Sequence, residues 1–358
     1  MNVSRTAPIV GAARRRGAPL SGSDLVAEGT LPGCGGLPLL LEPKAEGVRL
    51  SAWAKGRRAQ IEALVARHGA VLLRGFALDS VAEFEACVDE LCGGALEYRF
   101  RASPRTEIGR HVYTATDYPA EQSIFPHNEH SYSPVCPLYL AFFSESPAPE
   151  GGETPLGDNR EVTRRIDPAI KERFREKGVL YVRNYEAGVG GAGFGLPWPI
   201  VFQADDKGAV ERFCDGIGVE WTWKSHDRLC TRQVGPALIR HPRTGEEIWF
   251  NHATFFHVTT LPQALRDALL AEFDENDLPT QTFYGDGAPI EPETLEHLRA
   301  VYRDALVAFP WKQKDVLILD NILTVHARNP YRGPRRVLVA MAQTFKPRDF
   351  AAHAGATP

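Results

Sequence analysis

The sequence predicts a mainly β protein with helices (α+β), built on a double-stranded β-helix, or jelly roll, with flanking helices. Two observations predict it. Short β-rich apolar runs recur between Pro- and Gly-rich connections, and few of them alternate with helices as parallel βαβ units do. The length of 358 residues is compatible with a single elaborated domain of this class.

The N-terminal part of the chain predicts a leader followed by packing elements. Residues 1–44 are rich in Gly, Pro, Ala and Arg without a hydrophobic period, which predicts a flexible leader. A single domain is expected over 45–350 and a tail over 351–358. We expect a helix over 51–69 and a buried strand over 70–76. Ser80 and Glu83 form a capping box that predicts the start of another helix.

Strands dominate the rest of the chain and helices interrupt them. Further strands are predicted at 138–143, 179–182, 219–223, 247–250, 315–319 and 336–343. Helices are predicted at 159–177, 262–275 and 292–308. The Gly-rich stretch 188–199, inside an insertion around 184–215, is long enough for a pocket lid, although an exposed connection explains it equally well.

Composition excludes several classes of function. The chain has 41 Lys and Arg against 45 Asp and Glu, so no overall basic field attracts nucleic acid or anionic lipid. It lacks an apolar run long enough to cross a bilayer and a hydrophobic signal segment. The six cysteines form no C-x-x-C pair and are expected to be free thiols. We expect a cytoplasmic protein that binds neither nucleic acid nor membranes, and the sequence leaves open whether it forms a homo-oligomer.

The most informative motif is His127-Asn128-Glu129, followed much later by His326. On an extended segment, residues i and i+2 point the same way, so His127 and Glu129 can face one ion. His326 follows an apolar strand and a polar turn, which can bring it opposite that pair. Two imidazoles and one carboxylate suit one face of an octahedral iron(II), with three positions left open.

Other interpretations of these residues stay open at the level of spacing. Eleven histidines among 45 acidic residues produce about one or two His-x-acid spacings by chance. The histidines could be ordinary packing residues, or the site could bind zinc, although structural zinc sites usually contain cysteine. His130, His252 and His257 have the same ligand chemistry, and we interpret them as packing or pocket residues.

Downstream of His326, a strand begins with the adjacent arginines Arg335 and Arg336. Neighbouring strand residues point to opposite faces, so only one of the two can enter the barrel. A buried guanidinium needs a carboxylate partner, which a dicarboxylic co-substrate would supply. Thr154, after a pair of glycines, adds a hydroxyl donor, although an ordinary turn explains that stretch equally well.

Taken together, these segments resemble the taurine-dioxygenase-like (TauD/TfdA) family of iron(II)/2-oxoglutarate-dependent oxygenases, over about 70–345. The segments that carry the resemblance are 112–119, 126–132, 151–154, 249–252, 284–287 and 320–321, leading to His326 and Arg336. The resemblance implies that His127, Glu129 and His326 are iron ligands. It also implies that Thr154 and Arg336 bind the distal carboxylate of 2-oxoglutarate, with Arg335 facing outward.

Two departures from the taurine-enzyme pattern refine the expected substrate. Glu129 replaces the commoner Asp, which resembles the amino-acid hydroxylase branch related to syringomycin and clavaminate synthesis. Ala340 stands where members acting on small free acids often carry a second arginine. A substrate whose carboxylate is esterified or thioesterified would not need that cation, although Arg328 or Arg332 could replace it.

The expected function is an Fe(II)- and 2-oxoglutarate-dependent dioxygenase that uses O2 and hydroxylates an amino-acid-derived substrate in specialised-metabolite (antibiotic) biosynthesis. The substrate is a small molecule or an amino acid tethered to a carrier protein. Glu129 disfavours halogenation, because halogenating relatives have a small residue there. The alternatives are a catabolic dioxygenase cleaving a small sulfonate, aryloxy or amino acid, a desaturase or cyclase of the same family, and a non-catalytic metal-binding jelly roll.

Overall fold

The computed structural model describes residues 25–97, 100, 105–116, 118–188 and 196–351. In this part of the chain the strands are β1 (Val26–Thr30), β2 (Leu39–Pro43), β3 (Ala70–Leu73), β4 (Glu107–Gly109), β5 (Val112–Thr114), β6 (Ile124–His127), β7 (Cys136–Ser146), β8 (Glu150–Gly151), β9 (Leu156–Asp158), β10 (Val179–Tyr185), β11 (Glu220–Trp223), β12 (Leu229–Gly235), β13 (Leu238–Arg240), β14 (Glu247–Trp249), β15 (Thr280–Tyr284), β16 (Leu306–Val307), β17 (Val316–Asp320), β18 (Thr324–Arg328), β19 (Tyr331–Arg332) and β20 (Arg336–Phe345). The helices are α1 (Leu50–Ala54), α2 (Arg58–His68), α3 (Val81–Cys92), α4 (Asn159–Arg165), α5 (Pro168–Lys177), α6 (Trp198–Phe202), α7 (Lys207–Ile217), α8 (Gln263–Glu272) and α9 (Pro292–Ala305).

Two sheets form the jelly roll and enclose part of the core. The large sheet has the order β1-β2-β3-β17-β7-β20-β5-β4, and the small sheet has the order β16-β9-β18-β6. Apolar side chains from both sheets meet between them, including Leu140, Val339 and Leu156. The predicted fold class is therefore confirmed.

The other faces of the two sheets are covered by the remaining elements. Residues of α1, α2 and α3 pack on the outer face of the large sheet, against side chains such as Phe143 and Leu338. A third sheet, with the order β11-β12-β10-β15, contributes to a separate aromatic-rich core with α5, α7 and α9. In the small sheet, β18 pairs with β9 on one side and with β6 on the other.

Local sequence signals explain where several helices begin and end. The Ser80 hydroxyl accepts a hydrogen bond from the Glu83 backbone N–H at 3.2 Å, which confirms the predicted cap of α3. The predicted helix over 159–177 is instead two helices, because Asp167 caps a new helix that has Pro168 at its first position. The predicted helix over 51–69 is likewise divided into α1 and α2.

The predicted leader is partly structured. β1 pairs antiparallel with β2, and β2 pairs parallel with β3, so residues 26–30 and 39–43 belong to the large sheet. The expectation of a flexible leader up to residue 44 is thus wrong for this segment. The reason is the short apolar run Leu39 to Leu41, which is buried against the sheet despite the Gly- and Pro-rich residues before it. Residues 1–24 and the predicted tail from 352 lie outside the described residues.

The predicted lid insertion contains α6 and α7, while residues 189–195 lie outside the described residues. Phe202 of α6 and Phe213 of α7 pack on Phe100, with ring centroids 5.5 and 6.0 Å away. The function of this insertion as a lid stays a prediction. In the described part of the chain, none of the helices is long and apolar enough to cross a membrane. All six cysteines are buried free thiols.

Candidate metal and co-substrate site

Strand pairing brings the predicted metal ligands together. β18 runs antiparallel to β6, and His326 lies directly opposite His127 in the register. Glu129 lies in the turn just after β6. The Nε2 atoms of His127 and His326 are 4.0 and 3.9 Å from the same Glu129 carboxylate oxygen, Oε2. The three candidate ligand atoms all lie within 4.8 Å of one another.

The environment sets the protonation states that a metal requires. Burial lowers the pKa of both His127 and His326, so the neutral imidazoles can each offer a lone pair. His127 Nδ1 donates to the Phe125 carbonyl at 2.9 Å, which leaves Nε2 directed toward Glu129. Burial opposes ionisation of Glu129, but Arg105 and the neighbouring histidines outweigh it and hold the pKa of this carboxyl at about 2.

Arg105 is a site residue that sequence reasoning missed. Its Nη2 donates to Glu129 Oε2 at 3.0 Å, and its side chain is only 4% exposed. A carboxylate oxygen has two lone pairs, so Oε2 can accept this bond and still bind a cation. Arg105 comes from an irregular segment before β4, where neither periodicity nor spacing marks a site residue.

A cavity lies beside the two candidate histidine ligands. It is lined by His127, His326, Thr154, Arg335 and Arg105, together with apolar side chains that include Phe142 and Val337. Thr154 is 3% exposed, and its hydroxyl accepts a hydrogen bond from Trp311 Nε1 at 3.1 Å. The structure therefore places Thr154 in the same cavity as His127 and His326, and its role toward 2-oxoglutarate stays a prediction.

The structure reverses the predicted orientations of the two adjacent arginines. Arg335 lines the cavity, and its Nε donates to the Gly152 carbonyl at 2.9 Å. The side chain of Arg336 is 50% exposed and its Nε lies 2.5 Å from Glu145 Oε2, outside the cavity. Along β20, Val337 and Val339 face the space between the sheets, and alternation places Arg335 on that side. Arg336 is the residue of the predicted set that the structure does not bring to the site.

Arg335 is half-buried, and its surroundings suit an anionic ligand. Its pKa falls to about 10, first because burial disfavours the charge and then because Arg328 lies nearby. A carboxylate placed in the cavity would offset both effects. The geometry therefore favours Arg335, rather than the predicted Arg336, as the residue that binds the distal carboxylate of the co-substrate.

The same alternation corrects the interpretation of Ala340. This residue faces the helices α1 to α3 and is fully buried there, so a side chain at this position could not reach a substrate. Four residues after the inward Arg335 stands Val339, which faces the interior. The interior position four residues after the co-substrate arginine therefore has no cation. The residue at that position is Val339, not Ala340.

Two other arginines, Arg328 and Arg332, are candidate replacements for that cation. Arg332 has a side chain that is 83% exposed and pairs with Glu150 at 3.6 Å, so it lies away from the cavity. Arg328 lines the cavity, but its guanidinium donates to the carbonyls of residues 118, 119 and 122 at 2.9, 2.6 and 2.7 Å. Arg328 thus fastens the loop before β6 to β18.

The three other candidate histidines, His130, His252 and His257, have the contacts of packing or pocket residues. His130 Nε2 lies 3.6 Å from Glu129 Oε1, on the opposite oxygen from the other two histidines, and burial lowers its pKa to about 4. His252 shares a hydrogen bond of 2.5 Å with the hydroxyl of Ser131. His257 is bonded to Thr259 at 2.8 Å. Within the part of the chain that the structure describes, only His127, Glu129 and His326 form a group that could hold a metal ion.

Comparisons with known proteins agree with this fold. The profile of the "Taurine catabolism dioxygenase TauD, TfdA family" matches residues 36–341. The dapdiamide synthesis protein DdaC of Enterobacter agglomerans is 38% identical over 287 residues, covering 80% of this chain and 86% of that protein. A clavaminate synthase-like protein of Arabidopsis thaliana is 28% identical over 320 residues, covering 86% and 93%.

Solved structures resemble the fold at low sequence identity. PvcB of Pseudomonas aeruginosa has a TM-score of 0.50 and 17% identity, with 85% of each chain covered. AAD-2, solved with Mn(II) and N-oxalylglycine, has a TM-score of 0.50 and 12% identity, covering 90% of this chain and 98% of that one. At such identities the likeness concerns the fold alone.

Proposed function

Because the chain belongs to the TauD/TfdA family of dioxygenases, we propose that it is an iron(II)- and 2-oxoglutarate-dependent dioxygenase that hydroxylates an amino-acid-derived substrate. One observation carries the proposal: two imidazoles and one carboxylate converge beside a cavity that is also lined by the half-buried Arg335. This donor set suits iron(II) and leaves positions for a chelating co-substrate and dioxygen.

Different residues of the site would bind the metal and the co-substrate. His127, Glu129 and His326 would hold the iron. Arg335 would pair with the distal carboxylate of 2-oxoglutarate, and Thr154 would donate a hydrogen bond to it. Iron(II) with 2-oxoglutarate and dioxygen supplies the oxidising chemistry of this family.

A zinc site fits the same residues less well. Structural zinc sites are closed and usually use cysteine. The nearest cysteine in the sequence, Cys136, is directed elsewhere, since its Sγ lies 3.0 Å from the His130 carbonyl. A site that opens onto a cavity with an arginine suits a metal that binds an anionic co-substrate.

Anaerobic titration with iron(II) and then 2-oxoglutarate tests the proposal. The wild-type protein should develop the weak visible charge-transfer band of a chelated 2-oxo acid, and His326→Ala should not. Absence of the band from a folded wild-type protein that binds iron would contradict the co-substrate assignment. Absence of iron binding would contradict the enzyme assignment and leave a non-catalytic jelly roll.

The substrate proposal is an amino-acid derivative of specialised metabolism whose carboxylate is already bonded to a carrier protein. Three features support it: the relative named for dapdiamide synthesis, Glu129 in place of aspartate, and the apolar Val339 at the inward position. A free carboxylate in that region would lack the second arginine of enzymes for small acids. Glu129 also disfavours halogenation.

Intact-protein mass spectrometry on aminoacyl carrier proteins, beside a panel of free amino acids, tests the substrate class. A gain of one oxygen on the carrier-bound amino acid is expected. A loss of two hydrogens would indicate desaturation or ring closure instead. Turnover of a free amino acid at micromolar concentration would contradict the carrier-bound proposal.

A further inference from the structure

The side chain of Asn321 binds both backbone polar groups of Glu129. Asn321 Oδ1 accepts the Glu129 N–H at 2.7 Å, and Asn321 Nδ2 donates to the Glu129 carbonyl at 2.9 Å. The same Nδ2 donates to the Pro137 carbonyl at 2.9 Å, and Asn321 is fully buried. The carboxamide thus engages Glu129 as a neighbouring strand would, although Glu129 lies in a turn beyond the end of β6.

A second side-chain amide, that of Asn128, binds the backbone of the segment that carries Asn321. Asn128 Nδ2 donates to the Asn321 carbonyl at 2.6 Å and to the Thr324 carbonyl at 3.3 Å. Asn159 Nδ2 donates to Asn128 Oδ1 at 3.4 Å and to the Ile322 carbonyl at 2.9 Å. The segment that bears His127 and Glu129 is therefore fastened to the segment that leads into β18. We call Asn321, Asn128 and Asn159 the amide clamp.

The turn that carries Asn321 is itself held rigidly. Asp320 Oδ1 accepts the N–H groups of Ile322 and Leu323 at 2.8 and 3.0 Å. The other oxygen of Asp320 is 2.9 Å from Nε2 of the buried His241. Asn321 therefore has a fixed position from which to orient Glu129.

Strand pairing cannot do the same for the carboxylate. It aligns His326 with His127, but β6 ends at His127. A residue in a turn has no ladder partner, and a buried carboxylate must be oriented by other bonds if it is to meet two imidazoles.

We infer that Asn321 is a positioning residue that fixes Glu129 for metal binding and joins the two ligand-bearing segments through the amide clamp. This inference rests on the proposed function and deepens it. It assigns a role to the Asp320-Asn321 turn and to the middle residue of His127-Asn128-Glu129, neither of which contacts the cavity.

A matched control exists elsewhere in the chain. Asn184 is also buried, and its Nδ2 donates to the carbonyls of Asn276 and Leu278 at 2.9 and 2.8 Å. Its Oδ1 accepts from Lys224 at 2.9 Å. Like Asn321, Asn184 binds backbone carbonyls, but it lies in the third sheet. Its replacement therefore measures the structural effect of losing a buried side-chain amide.

The test compares Asn321→Ala and Asn321→Asp with Asn184→Ala and Asn184→Asp. Co(II) alone is titrated into each purified protein, with its visible absorption as the readout, and thermal unfolding is measured in parallel. The Asn321 variants should bind Co(II) at least about tenfold more weakly, with an altered absorption spectrum. The Asn184 variants should lose thermal stability and keep the Co(II) affinity of the wild type.

Folded Asn321 variants that bind Co(II) as the wild type does would overturn the inference, as would an equal loss of affinity in the Asn184 variants. If the Asn321 variants do not fold, Asn128→Ser replaces them, because it removes the bond to the Asn321 carbonyl and leaves Asn321 in place. Unchanged Co(II) affinity and spectrum in folded Asn128→Ser would overturn the part of the inference that assigns the joining of the two segments to the amide clamp. A wild-type protein that does not bind Co(II) would contradict the proposed function itself.

Discussion

Replacing Arg335 by methionine should abolish tight binding of 2-oxoglutarate, whereas the same change at Arg336 should not. Methionine keeps a long side chain in the cavity and removes the charge. The two arginines are adjacent and chemically identical. A difference between the two variants therefore reports the position of the side chain rather than the type of residue. Sequence resemblance favours Arg336 for this role, and the structure favours Arg335.

The magnitude follows from the surroundings of each arginine. A charge-assisted hydrogen bond to a buried carboxylate contributes about 1.5–3 kcal/mol, and Arg335 can make two of them with its planar fork. A loss of about 3 kcal/mol corresponds to roughly 100-fold weaker binding. Arg336 is half exposed and pairs with Glu145, and exposed ion pairs are worth about 0–1 kcal/mol. Its replacement should change 2-oxoglutarate binding by no more than about fivefold.

Anaerobic titration of the iron(II) protein with 2-oxoglutarate measures both affinities without a known substrate. Repeating it with 2-oxohexanoate, which lacks the distal carboxylate, isolates the charge. The Arg335→Met variant should lose its preference for 2-oxoglutarate over 2-oxohexanoate, and Arg336→Met should keep it. A larger loss of affinity in Arg336→Met than in Arg335→Met would refute the assignment and restore the one favoured by resemblance.

Three further predictions follow from individual contacts. Thr154→Val should weaken 2-oxoglutarate binding about fivefold in the same titration, the effect of about 1 kcal/mol for one hydroxyl bond; an unchanged affinity would remove Thr154 from the site. Arg328→Met should speed hydrogen exchange over residues 118–123, because three carbonyl contacts are lost; unchanged exchange would show that other contacts hold this loop. Although burial opposes ionisation, hydrogen bonds led by that of Arg243 hold the pKa of Glu62 at about 2, below its ordinary 4.5. This depressed pKa stabilises the fold above pH 4.5 and the effect disappears as pH falls toward 2, so Glu62→Gln should lose about 1 kcal/mol in urea unfolding at pH 7 and less at pH 3; an equal loss at both pH values would contradict this.

The fold class could be predicted because hydrophobic patterning and turn residues act locally and repeat along the chain. The cap of α3 is a local signal of this kind, since Ser80 and Glu83 are three residues apart and interact directly. The strands in the predicted leader could not be predicted, because the apolar run Leu39 to Leu41 is too short to indicate a strand alone. It becomes one by pairing with β1 and β3, which no local pattern reveals.

The orientation of the two arginines could not be predicted for a related reason. Strand alternation says that Arg335 and Arg336 face opposite sides, but not which side is the interior. The answer depends on the register between β20 and β7, which shifts at Glu145. Arg105 could not be predicted because it reaches Glu129 from a segment without regular structure.

The hydrogen-bond partners of the three arginines that line the cavity limit which substrates the site can accept. Arg105 is bonded to Glu129, and Arg328 donates to three loop carbonyls. The recorded hydrogen bond of Arg335, to the Gly152 carbonyl, uses only its Nε and leaves the terminal nitrogens of its fork for a carboxylate. One 2-oxoglutarate would use that capacity. A substrate with its own free carboxylate would then have to displace a loop contact or compete for the ligand Glu129, each at a cost in free energy. A substrate joined to a carrier through that carboxyl group avoids both costs, so the arrangement of cations and the apolar Val339 favour the same class of substrate.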